Sequence, residues 1–231
     1  MAVADQILGI GGASGEALER HPVFKALPEK AQWAFARSAE EQRVLPGEII
    51  AGTGKLSLIA SGVLGREPAC GSIIVGLVGP GASVGWSGAL NGETRLVRAI
   101  SHSFAFQAPL EPVIESLGRD WLHKFIARRS SSQIHELERE AACNAKHRLL
   151  PRLAKWLARM SVTAGAVALP LTQDQLARML GVQRTTLNAA AVELQASELV
   201  SFRRGRMAVL NLEGLSKLAC SCLQEGLTAH R

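Results

Sequence analysis

No uninterrupted apolar run in this chain approaches the ~20 residues of a membrane-spanning helix, so no membrane partner is expected. The first residues lack a basic segment followed by an apolar core, and no secretion signal is read there. Only four cysteines occur, at 70, 143, 220 and 222. In 231 residues they do not amount to a disulfide framework, and a reducing cytoplasm is the expected compartment. Cys220 and Cys222 offer two ligands, too few for a zinc site, and the other cysteines are remote in sequence, so packing is their expected role. The six histidines show no metal-ligand spacing. No Ser/His/Asp set or carboxylate pair stands out, and Gly79-Pro80-Gly81 lacks the lysine and helix start of a phosphate loop. The chain is therefore expected to be no enzyme, and to carry no metal and no cofactor.

What is present is ample apolar content, 47%, which supports packed cores, and room for two modest domains. The formal charge of +6 is unevenly spread. Residues 146–231 hold 12 Lys/Arg and 5 Asp/Glu, a net of +7, whereas residues 1–145 hold 14 and 15, a net of −1. A polyanion-binding domain beside a non-binding one shows this asymmetry.

The basic half carries the most specific signal, the run LTQDQLARMLGVQRTTLNAAAVEL at 171–194. Thr172 and Gln175 have the spacing of a capping box. Leu176, Ala177 and Leu180 give a buried stripe, and Gly181 suits a left-handed helix end. A second helix is expected from near Gln183, with Leu187, Ala190, Ala191 and Leu194 inside and Arg184, Thr185, Asn188 and Ala189 outside. Two short helices around such a turn are a helix-turn-helix, whose second helix enters the DNA major groove. Beyond it, 199–202 and 207–210 read as strands flanking the turn Arg203-Arg204-Gly205-Arg206. An arginine-tipped hairpin is the wing of a winged helix, suited to phosphate oxygens.

Upstream, residues 1–20 are small and Gly-rich and are expected to be flexible. Residues 21–41 have helical periodicity through Phe24, Leu27, Ala31, Ala34 and Phe35. Short β-type runs at 48–51, 56–60, 72–75, 95–100 and 103–106, separated by glycine corners, suggest a small roll or jelly roll. A long helix is expected over 110–144, with Trp121, Leu122, Phe125, Ile126, Ile134, Leu137 and Ala141 as its stripe. Pairing with a second copy is the natural way to bury that stripe. Another helix is expected over 146–160, with Pro151 either kinking it or near its start. A closing helix is expected over 213–224. The fold class is α+β, with domains at 21–109 (roll), 110–144 (dimerisation helix) and 145–231 (winged helix-turn-helix).

This layout resembles the Crp/Fnr superfamily of bacterial transcription regulators. The sensor half carries the likeness in Leu45-Pro46-Gly47-Glu48, Ile59-Ala60-Ser61-Gly62 and residues 78–85, the DNA half in residues 171–177, Leu180-Gly181-Val182, Arg184-Thr185-Thr186 and Arg203-Arg204-Gly205. The resemblance implies a homodimer that binds double-stranded DNA at a palindromic operator, with RNA polymerase as a further partner if the output is activation. It implies DNA contacts from Thr172, Gln173, Gln183, Arg184, Thr185, Thr186, Asn188, Arg203, Arg204 and Arg206. Relatives that bind a cyclic nucleotide carry Gly-Glu for the ribose and Arg-Ser or Arg-Thr for the phosphate. Here the matching positions are Gly85-Trp86 and Arg95-Leu96. Of Gly85, Trp86 and Arg95, only Arg95 offers a phosphate partner. One charge-assisted contact, ~1.5–3 kcal/mol, does not carry small-ligand affinity, so cyclic AMP is not expected to bind. Thr185 and Ala189 replace the Glu and second Arg often found in the recognition helix, so a different half-site is expected. No cysteine precedes Cys70 to hold the family's N-terminal iron–sulfur cluster. Haem-binding relatives bring His21, His102 and His123 into question as ligands. Two modes of control are open: activity set by protein level alone, or an unidentified effector sensed through the roll or near residues 130–133. The rival reading is a sensor module whose DNA half is degenerate.

Overall fold

The computed structural model describes residues 13–50, 54–68, 73–87 and 96–224. Residues 1–12 and Cys70 lie outside the described residues, as do Ala51, Ser72 and Arg95 at the ends of expected strands. The chain divides into two compact units, 1–64 with 78–130, and 65–77 with 131–231.

The first unit opens with helices α1 (Ala13–Arg20), α2 (Pro22–Ala26) and α3 (Glu29–Ala36). The expectation of a flexible segment to residue 20 is corrected by α1, whose Leu18 is fully buried beside Phe24, Leu27, Ala31 and Phe35. The single helix read over 21–41 is two, because Leu27 is extended and Pro28 leads into α3. Strands β1 (Glu40–Val44), β2 (Lys55–Ser61), β5 (Ser83–Val84) and β7 (Ser103–Pro109) form an antiparallel sheet of order β1-β7-β2-β5. Strand β6 (Leu96–Ala99) belongs to this unit, whereas β3 (Leu64–Glu67) and β4 (Gly76–Val78) fall largely in the second. The strand expected at 72–75 starts instead at Gly76, because the Ile74 amide is directed to the Met179 carbonyl, 3.0 Å away. Only an isolated bridge, at Ile49, marks the run expected at 48–51.

Both faces of the roll sheet are covered. Leu56, Leu58 and Phe106 pack with Trp86 and the first helices, while Ile59 and Ala105 pack with Val44, Ile50, Leu64, Val78 and Val97. The helix expected over 110–144 is broken into α4 (Leu110–Ser116) and α5 (Arg119–Lys146). Leu117 is extended (ψ 136°) and buried, and Gly118 after it has little helix propensity.

The second unit contains the end of α5, then α6 (Leu149–Ala164), with Pro151 in its first turn, where the missing N–H costs no bond. Residues 153–161 of α6 are all buried, as befits a helix surrounded by protein. There follow β8 (Ala168–Leu169), α7 (Gln173–Leu180), α8 (Arg184–Ala196), β9 (Val200–Arg203), β10 (Arg206–Val209) and α9 (Leu212–Leu218). The sheet order is β8-β10-β9, antiparallel throughout. No helix among the described residues is long and apolar enough to cross a membrane.

Candidate nucleic-acid interface

The turn between α7 and α8 is locally determined. Thr172 Oγ1 accepts the Gln175 amide at 3.1 Å, and Gln175 Oε1 accepts the Thr172 amide at 2.8 Å, closing the capping box. Gly181 ends α7 at φ 65°, a left-handed conformation that a side chain resists. Leu176, Ala177 and Leu180 of α7 and Leu187, Ala190, Ala191 and Leu194 of α8 face inward. That burial turns Gln183, Arg184, Thr185, Thr186, Asn188 and Ala189 to solvent. Gln183 caps α8 without a side-chain hydrogen bond. Thr172 and Gln173 lie half-buried at the start of α7, with the Thr172 hydroxyl committed to the cap.

The wing is a two-residue hairpin with Arg203 paired to Arg206. Arg204 (φ 48°) and Gly205 (φ 76°) both take positive φ, as a type I′ turn requires. For Arg204 that conformation is strained. Like charges facing each other across a ladder are also unfavourable. Arg203, Arg204 and Arg206 are exposed, and neither they nor Arg184 pair with a carboxylate among the described residues. Three guanidinium groups of like charge thus share one solvent-facing tip.

In the roll, Gly85 has φ 114°, and a Cβ there would stand 2.0 Å from the Lys55 carbonyl oxygen, so the backbone itself demands glycine. Trp86, read as the stand-in for a ribose-binding Glu, is 5% exposed and sits in the core. Its indole N–H donates to Ser83 Oγ at 2.9 Å. Its ring lies 4.8 Å from Phe125 and 6.4 Å from Trp121, and Arg129 covers Phe125 while donating to the Ser83 carbonyl. His21 is also buried, with Nε2 3.1 Å from the Ile59 carbonyl oxygen, and burial lowers its pKa from 6.5.

Two groupings in the second unit escaped the sequence. Glu136 and Glu140 on α5 are buried against Lys155 and Arg159 of α6. Glu140 accepts from Lys155 at 2.5 Å and from Arg159 at 2.6 Å; Glu136 accepts from Arg159 at 3.0 Å and from Arg66 at 2.8 Å. The stripe expected to be apolar is thus split: Glu136, Glu140 and Cys143 face inward, while Ile134 (54% exposed), Leu137 (36%) and Ala141 face out. The second grouping is Cys143, His147, Cys220 and Cys222, whose ligand atoms all lie within 4.8 Å of one another. Burial, and then a hydrogen bond to Cys143, push the Cys220 thiol up to about 12; burial also raises Cys222. The expectation that Cys220 and Cys222 stand as two ligands alone is corrected here, since Cys143, remote in sequence, and His147 lie beside them. The signal was present as two half-patterns: a Cys and a His one helical turn apart, and a Cys-x-Cys near the end of the chain.

The fold and its arginine-rich face define a winged helix-turn-helix DNA-binding regulator appended to a β-roll. Residues 151–218 match the Crp-like helix-turn-helix domain family. Over 149 residues the chain is 32% identical to the transcriptional regulator SdrP of Thermus thermophilus, covering 62% of this chain and 71% of that protein. The chain belongs to the Crp/Fnr family of transcription regulators, which are not enzymes. Its fold is similar to that of a crp/fnr-family transcriptional regulator from Eubacterium rectale (18% identity, TM-score 0.66, 85% of this chain and 97% of that one). It is similar also to TTHA1359, a CRP/FNR-family transcriptional regulator from Thermus thermophilus (25% identity, TM-score 0.59, 78% and 98%).

Proposed function

We propose that this regulator acts as a homodimer on a palindromic operator, with one α8 reading each half-site, and that it does so without binding cyclic AMP. The observation that carries the reading is the exposed, unpaired set Arg184, Arg203, Arg204 and Arg206 around the solvent face of α8 and the wing. Arg184 stands in the first turn of α8, where a guanidinium can meet the O6 and N7 of guanine, and Asn188 stands one turn later on the same face. The wing arginines hold phosphates and fix register without reading sequence. This arrangement speaks against a degenerate DNA half, even with Thr185 and Ala189 in the reading helix.

The dimer rests on α5. Ile134 and Leu137 are large apolar side chains exposed one turn apart, continued by Ala141, and a second copy of the helix covers them most economically. Two-fold symmetry then sets the half-sites about one DNA turn apart. Against cyclic nucleotide stands Trp86, an indole engaged with Ser83 at the position where relatives place a carboxylate. Gel shifts of genomic fragments at fixed salt test the DNA reading, and titration calorimetry with cyclic AMP and cyclic GMP tests the other half. Micromolar nucleotide binding contradicts the second statement, and failure to shift any fragment contradicts the first.

A further inference from the structure

The clustered cysteines take no part in reading DNA, and their geometry is specific. Cys143 lies in the last turn of α5, His147 directly follows that helix with its amide donating to the Cys143 carbonyl, and Cys220 and Cys222 follow α9. Cys143 Sγ is 3.6 Å from Cys220 Sγ, and Cys222 Sγ is 3.7 Å from His147 Nδ1. A tetrahedral shell with metal–sulfur bonds of ~2.3 Å has edges of about 3.8 Å. Those two separations therefore already match opposite edges of such a shell, and the remaining ones, none above 4.8 Å, need only a small contraction.

We infer that Cys143, His147, Cys220 and Cys222 form a Cys3His site for a thiophilic divalent cation of the zinc class. Three sulfurs and an imidazole are soft and borderline donors, unsuited to magnesium or calcium. Four protein ligands leave no open position, so the site is structural and not catalytic. As each metal–sulfur bond forms, its thiol gives up a proton to solvent, while the imidazole binds through Nδ1 and keeps its proton on Nε2. The filled site, a dication with three thiolates, carries one net negative charge. The neighbouring ionic cluster complements it in sign, with Arg66, Lys155 and Arg159 paired to Glu136 and Glu140 among the described residues. Lys155 links the two, its Nζ donating to Cys143 Sγ at 3.2 Å. Cys143 and Cys220 are buried, whereas Cys222 and His147 are part-exposed and give the ion a way in. Once bound, the ion fastens the segment after α9 to the end of α5, just before α6 begins.

The test uses the full-length chain, reduced and stripped with chelator, then titrated with cobalt(II) alone. The expected result is one cobalt per chain, thiolate-to-cobalt charge transfer and the intense visible bands of tetrahedral coordination. Zinc(II) should then displace the cobalt and raise the melting temperature, and zinc added to the stripped chain should release protons. Cys222→Ser and His147→Gln each weaken binding by more than about tenfold, the scale at which lesser disturbances of metal sites already act. Cys70→Ser leaves it unchanged. Both ligand changes fall at part-exposed positions, and the wild-type cobalt spectrum decides the matter without them. Substoichiometric uptake, a weak octahedral spectrum, or a reduced protein that takes no metal but forms a Cys143–Cys220 disulfide in air would each overturn the assignment.

Discussion

Glu140 is the keystone of the second unit, and its removal gives a sharp energetic prediction. Its two oxygens accept from Lys155 (0% side-chain exposure) and from Arg159 (2%). Glu140→Gln keeps the shape but leaves Lys155 without its carboxylate, beside the Cys143 sulfur, and leaves three cations against a single carboxylate. Breaking a buried ion pair from one side costs about 3–5 kcal/mol, because the surviving charge stays desolvated. The predicted loss is therefore about 3–5 kcal/mol. In a chain of this size that corresponds to a fall of about 6–20 °C in melting temperature. Urea denaturation followed by circular dichroism measures it. Adding Lys155→Met to Glu140→Gln should recover part of the loss, since it removes the buried ammonium left without a carboxylate. A single variant within about 1 kcal/mol of wild type, or a double variant no better than the single, refutes the reasoning.

Further predictions concern the DNA face and the roll. Arg204→Gln weakens binding to all duplexes alike and lowers the salt slope by about 1, as measured by fluorescence anisotropy across ionic strengths. Arg184→Ala costs about 1–3 kcal/mol at one preferred base while leaving random DNA nearly unaffected, so equal losses on both count against base reading. Gly85→Ala strains a φ of 114° and drives a methyl into the Lys55 carbonyl; a loss of about 1–3 kcal/mol or more is expected in denaturant melts. His21 has a lowered pKa in the folded state, so below its unfolded value of 6.5 the unfolded chain binds more protons. Stability should accordingly fall as pH drops from 6.5 toward the folded value, and His21→Gln should flatten that part of the profile.

The reading half was legible because its determinants are local. Thr172, Gln175 and Gly181 set the ends of α7 within ten residues of one another, and the apolar spacing of α8 alone fixes which side of it meets solvent. The wing was placed to within one residue, since Arg204-Gly205 can only be a turn. The roll was legible in outline through its glycine corners. Strand β1 was missed because Glu40–Val44 has one buried residue and four polar ones, leaving no apolar alternation to detect. The inward face of α5 was missed for a related reason: Glu136 and Glu140 break the apolar pattern and find their buried partners only in Lys155 and Arg159 of α6. Cys143 and Cys220, 77 residues apart, meet only when α9 closes on the preceding helices.

Selection of duplexes from a randomised pool by the full-length protein, at fixed salt, followed by sequencing, tests the central claim most directly. The account predicts a two-fold symmetric motif with half-sites about one helical turn apart, occupied by two chains and degraded at one base pair per half-site by Arg184→Ala. Recovery of unrelated sequences held with equal affinity by wild type and Arg184→Ala, or of a single unrepeated half-site bound by one chain, would contradict it.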